Sequence, residues 1–140
     1  MFRQATQKDI PQLIGLIKQL GYCIDAATLQ QNITLYGAAA FVIESNGAVI
    51  GFLAYHILPQ FHSSESHMRI VSVVVDAQHR NQGIGKKLLA EAERIALQEG
   101  CTVIELTSAA HRIAGGTHAF YKGQGYVSDG RKVYFRKEVI

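Results

Sequence analysis

The stretch from residue 70 to residue 107 constrains this chain most. It reads IVSVVV, then DAQHRNQGIGKK, then LLAEAERIALQEG, then CTVIELT. The β-branched run predicts a central strand over Met68 to Asp76. A helix is predicted over Gln82 to Gln98, because Ile84, Leu88, Leu89, Ala92, Ile95 and Ala96 fall on one stripe and Gly100 supplies a stop. Val103 to Thr107 is a second apolar strand. A strand, helix, strand unit closes only with the two strands parallel and the helix crossing one face of their sheet. The class is therefore α/β (α+β).

The flanking sequence fits that class. Phe2 to Ala5 reads as a first strand; Thr6 and Asp9 have the spacing of a capping box, and Pro11 stands in the first helical turn. Ile10, Leu13, Ile14, Ile17 and Leu20 then form a helical stripe ended by Gly21. Asp25 is placed to cap a second helix carrying Leu29, Ile33 and Leu35, with Gly37 at its end. Ala39 to Glu44 and Val49 to Ile57 are apolar runs joined through Ser45-Asn46-Gly47, a strong hairpin signal. Leu58 to His67 reads as a polar connection. Near the C-terminus, Thr117 is placed to cap a short helix running to Gly125, and Tyr126 to Ser128 with Val133 to Val139 reads as a closing pair of strands about Asp129-Gly130.

Composition narrows function. At 140 residues and 48% hydrophobic, the chain predicts one compact domain over 1–140. A net charge of +3 is too mild, and its Lys and Arg too dispersed, for a nucleic-acid surface. No window has the length of apolar sequence that a membrane span needs, and MFRQATQKDI has no apolar core behind its basic residue, so neither membrane insertion nor secretion is expected. Cys23 and Cys101 lack metal-type spacing and read as reduced, partly buried thiols. The expectation is a cytoplasmic protein. Six histidines raise the question of a metal, but His56, His62 and His67 share no helix or strand face, so none is expected.

A tight glycine turn between a strand and a helix presents unpaired N–H groups at the positive end of the helix dipole, which suits an anion such as a pyrophosphate. Gly83 and Gly85 permit close approach of backbone, and Arg80, Lys86 and Lys87 add positive charge. A dinucleotide fingerprint would need glycine where Leu88 stands. A P-loop would need glycine where Arg80 stands and Ser or Thr where Lys87 stands.

What remains, Arg80-Asn81-Gln82-Gly83-Ile84-Gly85, resembles the coenzyme A turn of the GNAT superfamily of acyl-CoA N-acyltransferases. The segment TSAAHRIAGGTHAFYKGQGY at 107–126 resembles that family's downstream pattern, with Thr117-His118-Ala119-Phe120-Tyr121 followed by Gly125-Tyr126. Thr stands where the pattern has Ala, Tyr where it ends in Phe, and Gly115-Gly116 stretches the spacing from Arg112. The resemblance implies a mixed, centrally splayed sheet of about six to seven strands flanked by about four helices. It implies acetyl-CoA as cosubstrate, bound by Val73, Val74 and Val75, by Arg80 to Lys86 and by Tyr121.

The same resemblance implies direct attack of a primary amine on the thioester, with a small-molecule acceptor favoured over protein. Tyr121 would be the general acid toward the leaving thiol; phenol and thiol reference values of about 10 and about 8.5 are nearly matched. A backbone N–H near Val73 would bind the thioester carbonyl, and a β-bulge is a device that frees such an amide. The amine needs a base, since only about one part in a thousand of an alkylammonium is neutral at pH 7, a term of roughly 4 kcal/mol. Related enzymes carry a carboxylate on the strand before the turn, where Ile70 to Val75 offers only Ser72. His67, His111 and His118, and Glu65 and Glu105, are the candidate substitutes. Tyr22, with Cys23, and His67 are candidates for the acceptor pocket, and the resemblance allows a homodimer. The missing carboxylate also leaves room for a catalytically silent coenzyme A binding module with a regulatory or structural role.

Overall fold

The structure, a computed structural model, describes residues 1–108, 116–128 and 130–140. It consists of two compact units, Met1–Thr107 and Ser108–Ile140.

The first unit is a five-stranded sheet in the order β1 (Phe2–Gln4), β2 (Ala40–Ser45), β3 (Ala48–Pro59), β4 (Ser66–Val75), β5 (Cys101–Glu105). Neighbours are antiparallel except β4 and β5, which are parallel as the crossover requires. Helices α1 (Ile10–Leu20) and α2 (Ala26–Tyr36) precede β2, and α3 (Ile84–Gln98) makes the crossover. Asp9 accepts the Thr6 N–H at 2.8 Å, Pro11 stands in the first turn of α1, and Gly21 ends it at φ 105°. Asp25 caps α2 by accepting the Thr28 N–H at 2.7 Å. Between β2 and β3, Asn46 (φ 51°) and Gly47 (φ 79°) take the two left-handed conformations of a tight hairpin turn.

Two apolar layers sandwich the sheet. Leu13, Leu16, Leu29 and Ile33 from α1 and α2 pack on Val42, Phe52 and Val74. Leu88, Leu89, Ala92, Ile95 and Ala96 form the buried stripe of α3, which packs on β3, β4 and β5. Leu35, the third apolar residue of α2, is exposed. It lies two residues past Ile33, about 200° round the helix.

The boundaries differ in three informative places. The predicted polar connection is shorter, because β3 runs to Pro59 and β4 starts at Ser66. His67 and Arg69 alternate with the buried Met68 and Ile70, the pattern of a strand with one polar face. Helix α3 starts at Ile84 and not at Gln82, because Gly83 takes a left-handed φ of 80° as its N-cap.

The second unit contains α4 (Thr117–Gly123). Its N-cap is Gly116, at φ 79°, so Thr117 is the first helical residue and not the cap. The helix ends with Gly125 N–H donating to the Lys122 carbonyl and Tyr126 N–H to the Tyr121 carbonyl, both at 3.1 Å, around a left-handed Gly125. That is the Schellman arrangement. The expected closing strands do not form: among the described residues, Tyr126 to Ser128 and Val133 to Val139 carry no strand. Among the described residues the sheet therefore has five strands where six to seven were expected, and there are four α-helices, in line with the about four expected. Alternating sequence without a partner ladder does not make a stable hairpin.

Candidate active site

The exit from β4 is anchored before the glycine turn begins. Asp76 N–H donates to the Ile50 carbonyl at 2.8 Å, and the Asp76 carboxylate accepts from Gln19 Nε2 at 2.8 Å and pairs with His79 Nδ1 at 2.7 Å. Gln19 Oε1 in turn accepts the Ala77 N–H at 2.8 Å. The Gln19 hydrogen bond, then His79, holds the Asp76 carboxyl below its ordinary range. Sequence reading missed Gln19; on a helix face it looks like any solvated residue.

Beyond this anchor the chain turns through Asn81 (φ 61°) and Gly83 (φ 80°) into α3. Asn is among the few residues with a side chain that accept this conformation readily. The N-cap glycine brings no side-chain acceptor, and Lys87 N–H makes the bond to the Gly83 carbonyl at 3.0 Å. The N–H groups of Ile84, Gly85 and Lys86 thus precede the first intrahelical bond. Arg80, Lys86 and Lys87 are exposed around them, and no acidic residue stands in the first turn. The arrangement can hold an anion.

Among the described residues, the edge of β4 that leads to the turn is paired on one side only. Its ladder with β5 covers Ser66 to Arg69 and ends at the pair Arg69–Glu105, whereas its ladder with β3 continues to Val75 opposite Gly51. Asp76 N–H points to β3, so by alternation Val74 faces β3 while Val73 and Val75 turn their N–H and C=O groups the other way. Arg80 Nε reaches the Val75 carbonyl at 3.4 Å on that open side. Val74, expected beside them in the cofactor site, has its backbone in the β3 ladder and its side chain in the core. The register with β3 skips Val71, between the pairs Ala54–Ser72 and Tyr55–Ile70, which is a β-bulge in the open segment.

At the closed end of the opening, charged side chains meet. Arg69 Nη1 lies 3.8 Å from Glu105 Oε2, His67 Nδ1 lies 3.7 Å from Glu105 Oε1, and His67 Nε2 lies 3.7 Å from Glu65 Oε2. The His67 side chain is 13% exposed and that of Glu65 54%.

Gly51 is a further residue that sequence reading missed. A β-carbon there would stand 3.0 Å from the Val74 carbonyl oxygen and 3.2 Å from Leu88 Cδ1. A lone glycine inside an apolar strand was the available signal.

Tyr121 is in α4, its ring edge-on to Tyr126 with centroids 6.0 Å apart and tilted against Phe120 at 5.5 Å. His118 is one turn earlier on the same helix. His111 falls outside the described residues. Tyr22 and Cys23 are exposed between α1 and α2, so neither is a core residue. His56 lies on β3 and His67 on β4, and among the described residues no three His, Cys, Asp or Glu side chains gather as a metal ion would require. No helix among the described residues is long and apolar enough to cross a membrane.

An aminoalkylphosphonate N-acetyltransferase from Salmonella typhimurium is 36% identical over 81 residues, which are 58% of this chain and 51% of that protein. The chain thus spans about half the length of the curated relatives it matches. A putative acetyltransferase from Agrobacterium tumefaciens superimposes with a TM-score of 0.82 at 23% identity, covering 98% of this chain and 99% of the other. An aminoglycoside N-acetyltransferase in complex with CoA superimposes with a TM-score of 0.81 at 19% identity, covering 98% of this chain and 93% of the other. These two likenesses establish the fold. Residues 14–126 match the profile of the acetyltransferase (GNAT) family, and with that match, the open β4 edge and the glycine turn, the chain belongs to the GNAT family.

Proposed function

We propose that the chain, acting as one domain, transfers the acetyl group of acetyl-CoA to the primary amine of a small molecule by direct attack. The observation that carries this reading is the continuity of open backbone from Val73 and Val75 to the first turn of α3. Arg80, Asn81 and the amides from Gln82 to Lys86 receive the pyrophosphate, where the helix dipole and exposed cations favour it. The pantetheine lies along the β4 edge, and the Val73 N–H, just past the bulge, donates to the thioester carbonyl. Tyr121 delivers the proton to the leaving thiol. The aminoalkylphosphonate and aminoglycoside named for two similar proteins are both small amines, which supports a small acceptor over a protein one.

The test of the chemistry is thiol release from acetyl-CoA across a panel of primary amines. Tyr121→Phe is expected to lower kcat by about 100-fold with the KM for acetyl-CoA nearly unchanged. An unchanged kcat removes Tyr121 from the acid role. The second reading, a binding-only module, is favoured by the absence of a carboxylate from Ile70 to Val75. Acetyl-CoA binding without thiol release toward any amine would establish it.

A further inference from the structure

We propose that the proton acceptor missing from β4 is supplied across the ladder by Glu105 on β5, and that His67 relays the proton from Glu105 to Glu65 at the surface. The proposal deepens the acetyltransferase reading and rests on it. Arg69 and Glu105 form the last rung before β4 parts from β5. Partners in a ladder place their β-carbons about 5 Å apart on the same face, so a carboxylate at 105 reaches nearly the same space as one at 69 would. That rung is two residues, about 7 Å, from the bulge at Val71.

The face is the right one for an acceptor. His56 on β3 is the register partner of Arg69 and stacks on Tyr36 of α2 at 4.7 Å, so His67, Arg69 and Glu105 turn to the α2 side of the sheet, opposite the buried Met68 and Ile70. β5 contributes Val103 beside His67. Arg69 is the cation beside Glu105, at 3.8 Å. The imidazole addresses one carboxylate with each nitrogen, at 3.7 Å on both sides. These distances are about 1 Å beyond a hydrogen bond, and the relay requires the carboxylates to rotate and close them.

The proton count balances. An acceptor R–NH3⁺ gives one proton to Glu105, and the freed lone pair forms the C–N bond as the C–S bond breaks. The thiolate takes up one proton while the new amide nitrogen sheds one. The proton on Glu105 passes to His67 Nδ1 as Nε2 releases its own to Glu65, and one proton in all leaves to water.

The experiment follows thiol release at saturating acetyl-CoA with 1,4-diaminobutane and with 2-aminoethylphosphonate, from about pH 6 to about pH 10. Glu105→Gln is expected to lose about 100-fold in kcat near pH 7. The deficit should shrink as pH rises, because the amine then loses its proton unaided. His67→Gln should show a smaller loss with the same pH recovery, and Glu105→Asp should retain most activity. Losses equal at every pH, or no loss, overturn the proposal. Acetyl-CoA-induced thermal shifts are measured on every variant. A wild-type shift without turnover on either amine overturns the relay and leaves the cofactor site standing, whereas no wild-type shift overturns the acetyltransferase reading itself.

Discussion

At Gly51 the sheet lets α3 come close. The nearest atoms to an added β-carbon are backbone and a core side chain, the Val74 carbonyl oxygen at 3.0 Å and Leu88 Cδ1 at 3.2 Å, so neither yields freely. Leu88 is fully buried. Gly51→Ala is expected to destabilise the fold by about 1–3 kcal/mol, as overpacking of a dense core does. Urea unfolding measures it, and an unchanged midpoint would show that α3 has slack. The same closeness sets the height of the α3 N-terminus, and hence of the glycine turn, above the end of β4.

Among the elements, those defined by local chemistry were legible in the sequence. Gly21, Asp25 and Asn46-Gly47 act where their residue types predict, because caps and tight turns are decided within a few residues. The F-Y-x-x-x-G-Y segment acquires a physical reading: Gly125 is the left-handed residue after α4, and Tyr126 packs on Tyr121, the contact that accompanies such an ending. What was not legible depends on registers between distant strands. The pairing of Arg69 with Glu105 spans 36 residues of sequence, and the bulge at Val71 exists only relative to β3. Hence Glu105 was one candidate among five, while the turn from Arg80 to Gly85 could be read directly. The strands expected after Tyr126 fail for the same reason, since alternation describes a strand but cannot provide its partner.

For the whole molecule, a partly buried charge cluster around the buried Asp9 ties the N-terminus to the sheet. Arg3 on β1 holds Asp9, at the start of α1, through two bonds of 2.9 and 2.8 Å and reaches Glu44 on β2 at 2.7 Å. The Asp9 side chain is 4% exposed, and the Arg3 hydrogen bonds, opposed by burial and aided by the Thr6 N–H, hold its carboxyl below the ordinary value of 3.8. A lowered carboxyl stabilises the folded state above the unfolded value, and that stability is lost as pH falls through the lowered one. Asp9→Ala is therefore expected to cost about 2–3 kcal/mol at neutral pH and to flatten the loss of stability below about pH 4. Denaturant titrations of both proteins at several pH values check this; parallel pH curves would contradict it.

The central claim, that open backbone from β4 to α3 binds acetyl-CoA, is tested most directly by thermal unfolding with and without that cosubstrate. At about 100 times its Kd, acetyl-CoA should stabilise the protein by about 2.7 kcal/mol, raising Tm by about 5–10 °C. Gly83→Glu places a carboxylate and a β-carbon at the left-handed N-cap, and a folded variant should lose that shift. A wild-type Tm that does not move, or a shift that survives Gly83→Glu, would contradict the account.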